Sequence, residues 1–81
     1  MKARVLIRLK RGILDVQGNA VKRALEGLGY ADLTDLRMGK VVEIDIDAPD
    51  PAAARARVEE MCKRLLANPV LEDFTVECPL P

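Results

Sequence analysis

The stretch LTDLRMGKVVEIDID, Leu33 to Asp47, decides how this chain folds. Its first part, Leu33 to Met38, sets Leu36 and Met38 on one side and Asp35 and Arg37 on the other, the two-residue period of a strand. Gly39-Lys40 then signals a tight reversal. Beyond it Val42, Ile44 and Ile46 point one way, and Glu43, Asp45 and Asp47 the other. The prediction is a hairpin in mid-chain whose second strand has an acidic outer face.

Toward the N-terminus, Ala3, Val5, Ile7 and Leu9 alternate with Arg4, Leu6, Arg8 and Lys10, a half-buried strand with a mainly basic outer face. Arg11 and Gly12 end it. Asp15 is placed to accept hydrogen bonds from the first free N–H groups of a helix. On that helix Val21, Ala24, Leu25 and Leu28 form one stripe, while Lys22, Arg23 and Glu26 face away. Gly29 sits where a left-handed residue closes the helix. Gly18 and Gly27 lower its propensity, so packing has to hold it.

Toward the C-terminus, Asp50-Pro51 reads as N-cap and first helical residue, since proline's missing N–H costs nothing there. Ala54, Val58, Met61, Cys62 and Leu65 share a face, and Asn68, restricted by Pro69, stops the helix. A last strand near Phe74 to Glu77 turns Phe74, Val76 and Cys78 inward; Pro79 and Pro81 end it.

The order β-α-β-β-α-β predicts an α+β fold, a two-layer ferredoxin-like sandwich in one domain, residues 1–81. Two helices cover one face of an antiparallel four-stranded sheet of order 4-1-3-2. Strand one then neighbours strand three, and Arg4, Arg8 and Lys10 lie across from Glu43, Asp45 and Asp47. Such opposed charges contribute roughly 0.2–1 kcal/mol per pair. The edge strands, two and four, are expected to pair or pack against another copy.

Composition excludes more than it suggests. The 81 residues include no histidine, serine or tryptophan, although 32% are charged. Without histidine the commonest general acid/base and metal ligand is missing, and no Ser-His-Asp or Cys-His apparatus can be assembled. Cys62 and Cys78 are too few for a zinc site and read as reduced thiols. Thirteen basic and thirteen acidic residues cancel, which removes the positive field of a nucleic-acid binder. RNA-recognition domains of this topology also display aromatic rings on their central strands, where this chain has Arg4, Leu6, Arg8, Glu43 and Asp45. No run approaches the ~20 apolar residues of a membrane span, and no signal-peptide pattern opens the chain, so it is read as soluble and cytoplasmic. A lone chain of this length buries about 60–65% of its unfolded surface, which favours assembly with other copies.

Two places remain for function. Lys10-Arg11-Gly12-Ile13-Leu14-Asp15 joins a strand to a helix N-terminus but lacks the glycine spacing of a phosphate-binding loop, so Lys10, Arg11 and Asp15 read as partner contacts or plain connection. Arg37, Gly39 and Lys40 cluster at the predicted hairpin tip and read as turn chemistry or a docking tip. Glu43, Asp45 and Asp47 project in parallel and read as a solvated or cross-strand-paired face, and Glu72 and Asp73 as solvated acids; Cys62 reads as a core thiol. No catalytic, cofactor or metal residue is assigned. The alternative function at this level is a dimeric regulatory module that binds a small metabolite between copies.

Four blocks, Lys10 to Gly18 (KRGILDVQG), Ala20 to Gly29 (AVKRALEGLG), Arg37 to Glu43 (RMGKVVE) and Cys62 to Phe74 (CKRLLANPVLEDF), together resemble the PurS family. That family is the small subunit of phosphoribosylformylglycinamidine synthase. One departure is Val16, where the family has proline after the aspartate. The resemblance implies a noncatalytic subunit of a glutamine- and ATP-dependent carbon–nitrogen ligase of purine biosynthesis. It implies dimers or tetramers that join a glutaminase subunit to a large synthetase subunit and assist ammonia transfer. No cofactor is expected on this chain, while the whole complex uses ATP and magnesium. Matches to the family blocks add Asn68 and Pro69 to Arg37, Gly39 and Lys40 as candidate contact or conformation-setting positions.

Overall fold

β1, Lys2–Leu9, is the centre on which the rest is hung: it buries Ala3, Val5 and Ile7 and turns Arg4, Leu6 and Arg8 outward. The computed structural model describes residues 1–80; Pro81, read as part of the stop after the last strand, lies outside the described residues. β2, Gly39–Asp45, and β3, Glu72–Glu77, flank β1 in the order β2-β1-β3, both antiparallel to it. The helices are α1, Val16–Gly27, and α2, Pro51–Met61, which runs on into a wider π turn over Cys62–Leu66.

α2 lies on the inner face of the sheet. Ala54, Val58 and Cys62 are fully buried along its contact stripe, and Val42, Ile44, Ile46, Phe74 and Cys78 pack on the cluster from the strands as their alternation predicts. Burial of each aliphatic side chain of this size contributes about 1.5–3 kcal/mol. Asp50 accepts from the Ala53 N–H at 2.8 Å with Pro51 beginning the helix, the predicted cap. The π turn is closed by Ala67 N–H donating to the Cys62 carbonyl at 3.0 Å. Its extra residue rotates Ala67 into the core and leaves Leu65 84% exposed, which corrects the reading of Leu65 as a core position.

Among the described residues the sheet has three strands where four were predicted. Leu33–Met38 forms no ladder: the Met38 N–H donates to Asp15 and the Leu36 N–H to its neighbour Asp35, so side chains hold amides that a strand would need. Gly39-Lys40 is no reversal either. Both residues lie inside β2, opposite Arg8 and Ile7. A Cβ on Gly39 would sit 2.8 Å from the Ile7 carbonyl oxygen, so glycine serves close strand approach here, not a turn.

The register also revises the charge pairing. Arg4 lies between Glu43 and Glu77 and Lys2 opposite Asp45, but Arg8 faces Gly39 and Asp73, while Lys10 lies past the end of β1. Asp47 is beyond β2.

The second helix expected on the sheet is not there. α1 is capped by Asp15 and followed by Gly29 at φ 104°, as predicted, yet it makes at most marginal contact with any strand. Ala24 is exposed and Leu28 is 75% exposed. The one helix on the inner face, α2, packs against β1 and β3 and leaves β2 largely uncovered. α1 extends beyond the end of the sheet instead. The longest dimension is 50 Å, against about 27 Å for an eight-residue strand and about 18 Å for a twelve-residue helix. The radius of gyration, 15.9 Å, exceeds the roughly 12 Å of a compact chain this long.

Candidate functional site

Five segments meet where β1 ends and β2 and β3 begin. Asp15 is the hub. Its side chain is 6% exposed, Oδ1 accepts from the Gly18 N–H at 2.8 Å and Oδ2 from the Met38 N–H at 2.7 Å. One carboxylate therefore caps α1 and also clips the chain just before β2 to the helix start. Arg37 closes the arrangement: its Nε stands 3.9 Å from Asp15 Oδ2, and its Nη2 reaches the carbonyls of Lys10 and Ile13, each at 3.4 Å. The two backbone N–H bonds, to Met38 first and to Gly18 next, hold the Asp15 carboxyl below its ordinary range, with Arg37 adding a smaller pull.

The second half of the network runs through Glu72. Its Oε1 accepts from the Asn68 N–H at 2.8 Å, and its Oε2 pairs with Lys40 Nζ at 3.3 Å. The Asn68 bond, followed by Lys40, lowers the Glu72 pKa. Asn68 Oδ1 accepts from the Val70 N–H at 3.0 Å, and the Lys10 N–H donates to the Leu71 carbonyl at 2.8 Å. A cavity of about 180 Å³ separates the halves, with Asp15, Gly39, Lys40 and Glu72 in its wall.

Of the eight residues singled out from the sequence, Lys10, Asp15, Arg37, Lys40 and Asn68 make these bonds, and Gly39 sits among them in the ladder. Arg11 and Pro69 are exposed at the same end and make none of them. Glu72 was missed; read as a solvated acid, it ties two loops together. The signal was the spacing Asn-Pro-x-x-Glu, which brings a carboxylate back to the amides freed where a helix stops. Ile13 is half-buried, whereas Leu14, Val16 and Val70 are 70%, 69% and 75% exposed around the network.

At this end Asp15 and Glu72 already accept from backbone N–H groups, and both are held below their ordinary pKa values. Cys62 lies elsewhere, buried under α2, and burial, then Glu59, pushes its thiol up, away from the reactive thiolate. Glu43, Asp45 and Asp47 are exposed, and among the described residues no three acidic or cysteine side chains converge as metal ligands. What the arrangement offers is a stiff charged end ringed by exposed aliphatic side chains.

Residues 2–79 match the family described as PurS: Phosphoribosylformylglycinamidine (FGAM) synthase. The chain belongs to the PurS family. It is 38% identical to phosphoribosylformylglycinamidine synthase subunit PurS of Methanocaldococcus jannaschii, across 94% of this chain and 92% of that one. To the Bacillus subtilis subunit it is 42% identical, across 94% and 89%. The crystal structure of M. jannaschii PurS, one of the subunits of formylglycinamide ribonucleotide amidotransferase in the purine biosynthetic pathway, superposes with a TM-score of 0.84 at 39% identity, covering 94% and 92% of the two chains. PurLQS from Thermotoga maritima gives 0.87 at 26% identity, covering 94% and 93%. The PurS resemblance drawn from four short blocks thus holds over nearly the whole chain. No helix among the described residues is long and apolar enough to cross a membrane.

Proposed function

We propose that this chain is a noncatalytic bridging subunit of cytoplasmic FGAM synthase, joining the glutaminase and the ATP-dependent synthetase subunits and assisting ammonia transfer between them. It works as a dimer or tetramer and carries no cofactor itself; ATP and magnesium belong to the whole complex. One observation supports the reading: Lys10, Asp15, Arg37, Lys40, Asn68 and Glu72, all within the PurS blocks, form a charged network of hydrogen bonds and ion pairs beside exposed Leu14, Val16 and Val70. Such a surface suits adhesion. Exposed aliphatic side chains reward a partner that covers them, and pre-formed hydrogen bonds spare that partner the cost of ordering the loops. Passing ammonia between distant centres needs exclusion of water, which extra protein surface supplies without chemistry of its own.

Reconstitution tests this. Glutamine-dependent turnover falls when this chain is left out of a mixture of the two larger subunits, and the isolated chain turns over nothing. Unchanged glutamine-dependent turnover without it removes the proposal.

A further inference from the structure

One hollow on the outer face of the sheet, of about 240 Å³, has no acidic residue in its wall. It lies over Gly39, between Arg8 and Arg37, with Leu6 and Val41 beside them. The ladder creates it. Arg8 points outward and Gly39 is its partner on β2, so a side chain at residue 39 would stand on this face. Its Cβ would sit 3.5 Å from Arg8 Cγ, and glycine leaves that space open. Two residues along, Leu6 stands opposite Val41, which is 58% exposed, and the pair forms an apolar shelf next to the gap.

Both guanidinium groups keep donors to spare. The ion pairs among the described residues use Met1, Arg37, Lys40 and Arg64 as cations; Arg8 joins none of them, although Asp73 is its neighbour on β3. Arg37 is held from behind. Its Nε stands 3.9 Å from Asp15 Oδ2 and its Nη2 donates to the Lys10 and Ile13 carbonyls, each at 3.4 Å, while Nη1 takes part in none of these contacts. Lys40 also borders the hollow, but its ammonium is paired with Glu72 at 3.3 Å.

We propose that this hollow binds a phosphate monoester, with the phosphate between Arg8 and Arg37 and the carbon body over Leu6 and Val41. A phosphate monoester carries a charge of about −1.5 to −2 at pH 7, which suits two cations with no carboxylate between them. Its three acceptor oxygens can engage both guanidinium groups at once, each through the planar fork of N–H donors that matches phosphate. Size narrows the class further. At about 30 Å³ per water the hollow holds about eight waters, room for a phosphate and a sugar-sized body but not for a nucleotide base as well. A bound ester joins the outer face of β1 to the segment before β2, beside the network of Asp15 and Glu72.

The test titrates the chain, at fixed ionic strength, with ribose 5-phosphate, glycerol 3-phosphate, inorganic phosphate and free ribose, following backbone amide and arginine Nε–H signals by NMR. The two esters are expected to move the Gly39 and Val41 amides and the Arg8 and Arg37 Nε–H signals, and to bind more tightly than inorganic phosphate; free ribose is expected to move none. Arg8→Gln and Val41→Glu, both at exposed positions, are expected to weaken ester binding by about tenfold or more, the weight of one charged hydrogen bond, with circular dichroism unchanged. Arg64→Gln, at a residue outside the hollow, is expected to leave binding as it was. Esters that fail to bind at millimolar concentration, bind no tighter than inorganic phosphate, or bind Arg8→Gln as well as wild type overturn the proposal. Loss of ester binding once the chain is assembled with the larger synthase subunits gives the hollow to an acidic group of a partner and overturns it too.

Discussion

Replacing Gly18 with alanine should destabilise this protein, although the same exchange normally strengthens a helix by up to about 1 kcal/mol. The reversal comes from Asp15. An alanine Cβ at residue 18 would collide with Asp15 Oδ2 and stand 2.7 Å from its Cγ, so the carboxylate has to swing away. Two backbone N–H groups, of Gly18 and Met38, then lose a charged acceptor at 2.8 and 2.7 Å. Hydrogen bonds to charged groups are worth about 1.5–3 kcal/mol each, and water recovers part of that at the half-buried Met38 amide. Setting the helix gain against the loss leaves a net destabilisation of about 2 kcal/mol, or about 8–16 °C in Tm for a domain of this size. Gly27, in the same helix, is the control: an added Cβ there meets nothing within 4 Å, so Gly27→Ala should raise Tm slightly. Thermal unfolding by circular dichroism, at matched protein concentration because assembly shifts Tm, reads both variants. In an Asp15→Ala background Gly18→Ala should turn neutral or stabilising, which isolates the collision. A Gly18→Ala protein at least as stable as wild type would refute the reasoning.

Asp15 and Glu72 both have carboxyl groups held below their ordinary values of 3.8 and 4.5, Asp15 chiefly by the Met38 N–H and Glu72 chiefly by the Asn68 N–H. A depressed folded-state pKa means that stability is fully present above the ordinary value and is lost as pH falls through the folded one. Denaturant titrations below about pH 4.5 should therefore show a flatter loss of stability in Asp15→Asn/Glu72→Gln than in wild type. A thiol reagent should label half-buried Cys78 in the native protein and reach Cys62 only on unfolding, since burial excludes it and raises its pKa. Early labelling of Cys62 contradicts its place in the core. Lys40→Ala removes an ion pair whose lysine is 61% exposed, so stability should change by no more than about 1 kcal/mol. In the reconstituted synthase the same variant should lower glutamine-dependent turnover; unchanged turnover removes the sheet end as a docking face.

Elements set by side-chain period and by caps were readable from the chain. β1, α2 and β3 lie where alternation and the Asp50-Pro51 cap put them, because each of those signals is local. The site was legible as residue types before it was legible as geometry. Asp15 was recognised as a cap, but its second bond, to an amide 23 residues away, depends on the fold bringing Met38 beside it. Gly39 shows the limit from the other side. Glycine before lysine between two alternating segments has the look of a turn, yet what demands glycine there is the Ile7 carbonyl on another strand. The π turn left no mark in the stripe either, because Leu65 and Leu66 are equally apolar and only the rotation of the backbone decides which one faces in.

The lost strand and the displaced helix share a contact at Asp15. A four-stranded sheet would have let Leu33–Met38 extend the platform beyond β2 and given α1 somewhere to lie. The amide of Met38 is committed to Asp15 instead, and the same carboxylate fixes the start of α1. The same carboxylate thus holds both elements where they lie, and β2 has a free edge and an uncovered inner strip. A sequence patterned for a closed two-layer domain then cannot complete it alone. Edges and apolar strips left this way draw in other chains. Freeing Met38 from Asp15 should therefore loosen the outward set of α1 and change how the chain associates, not merely how stable it is.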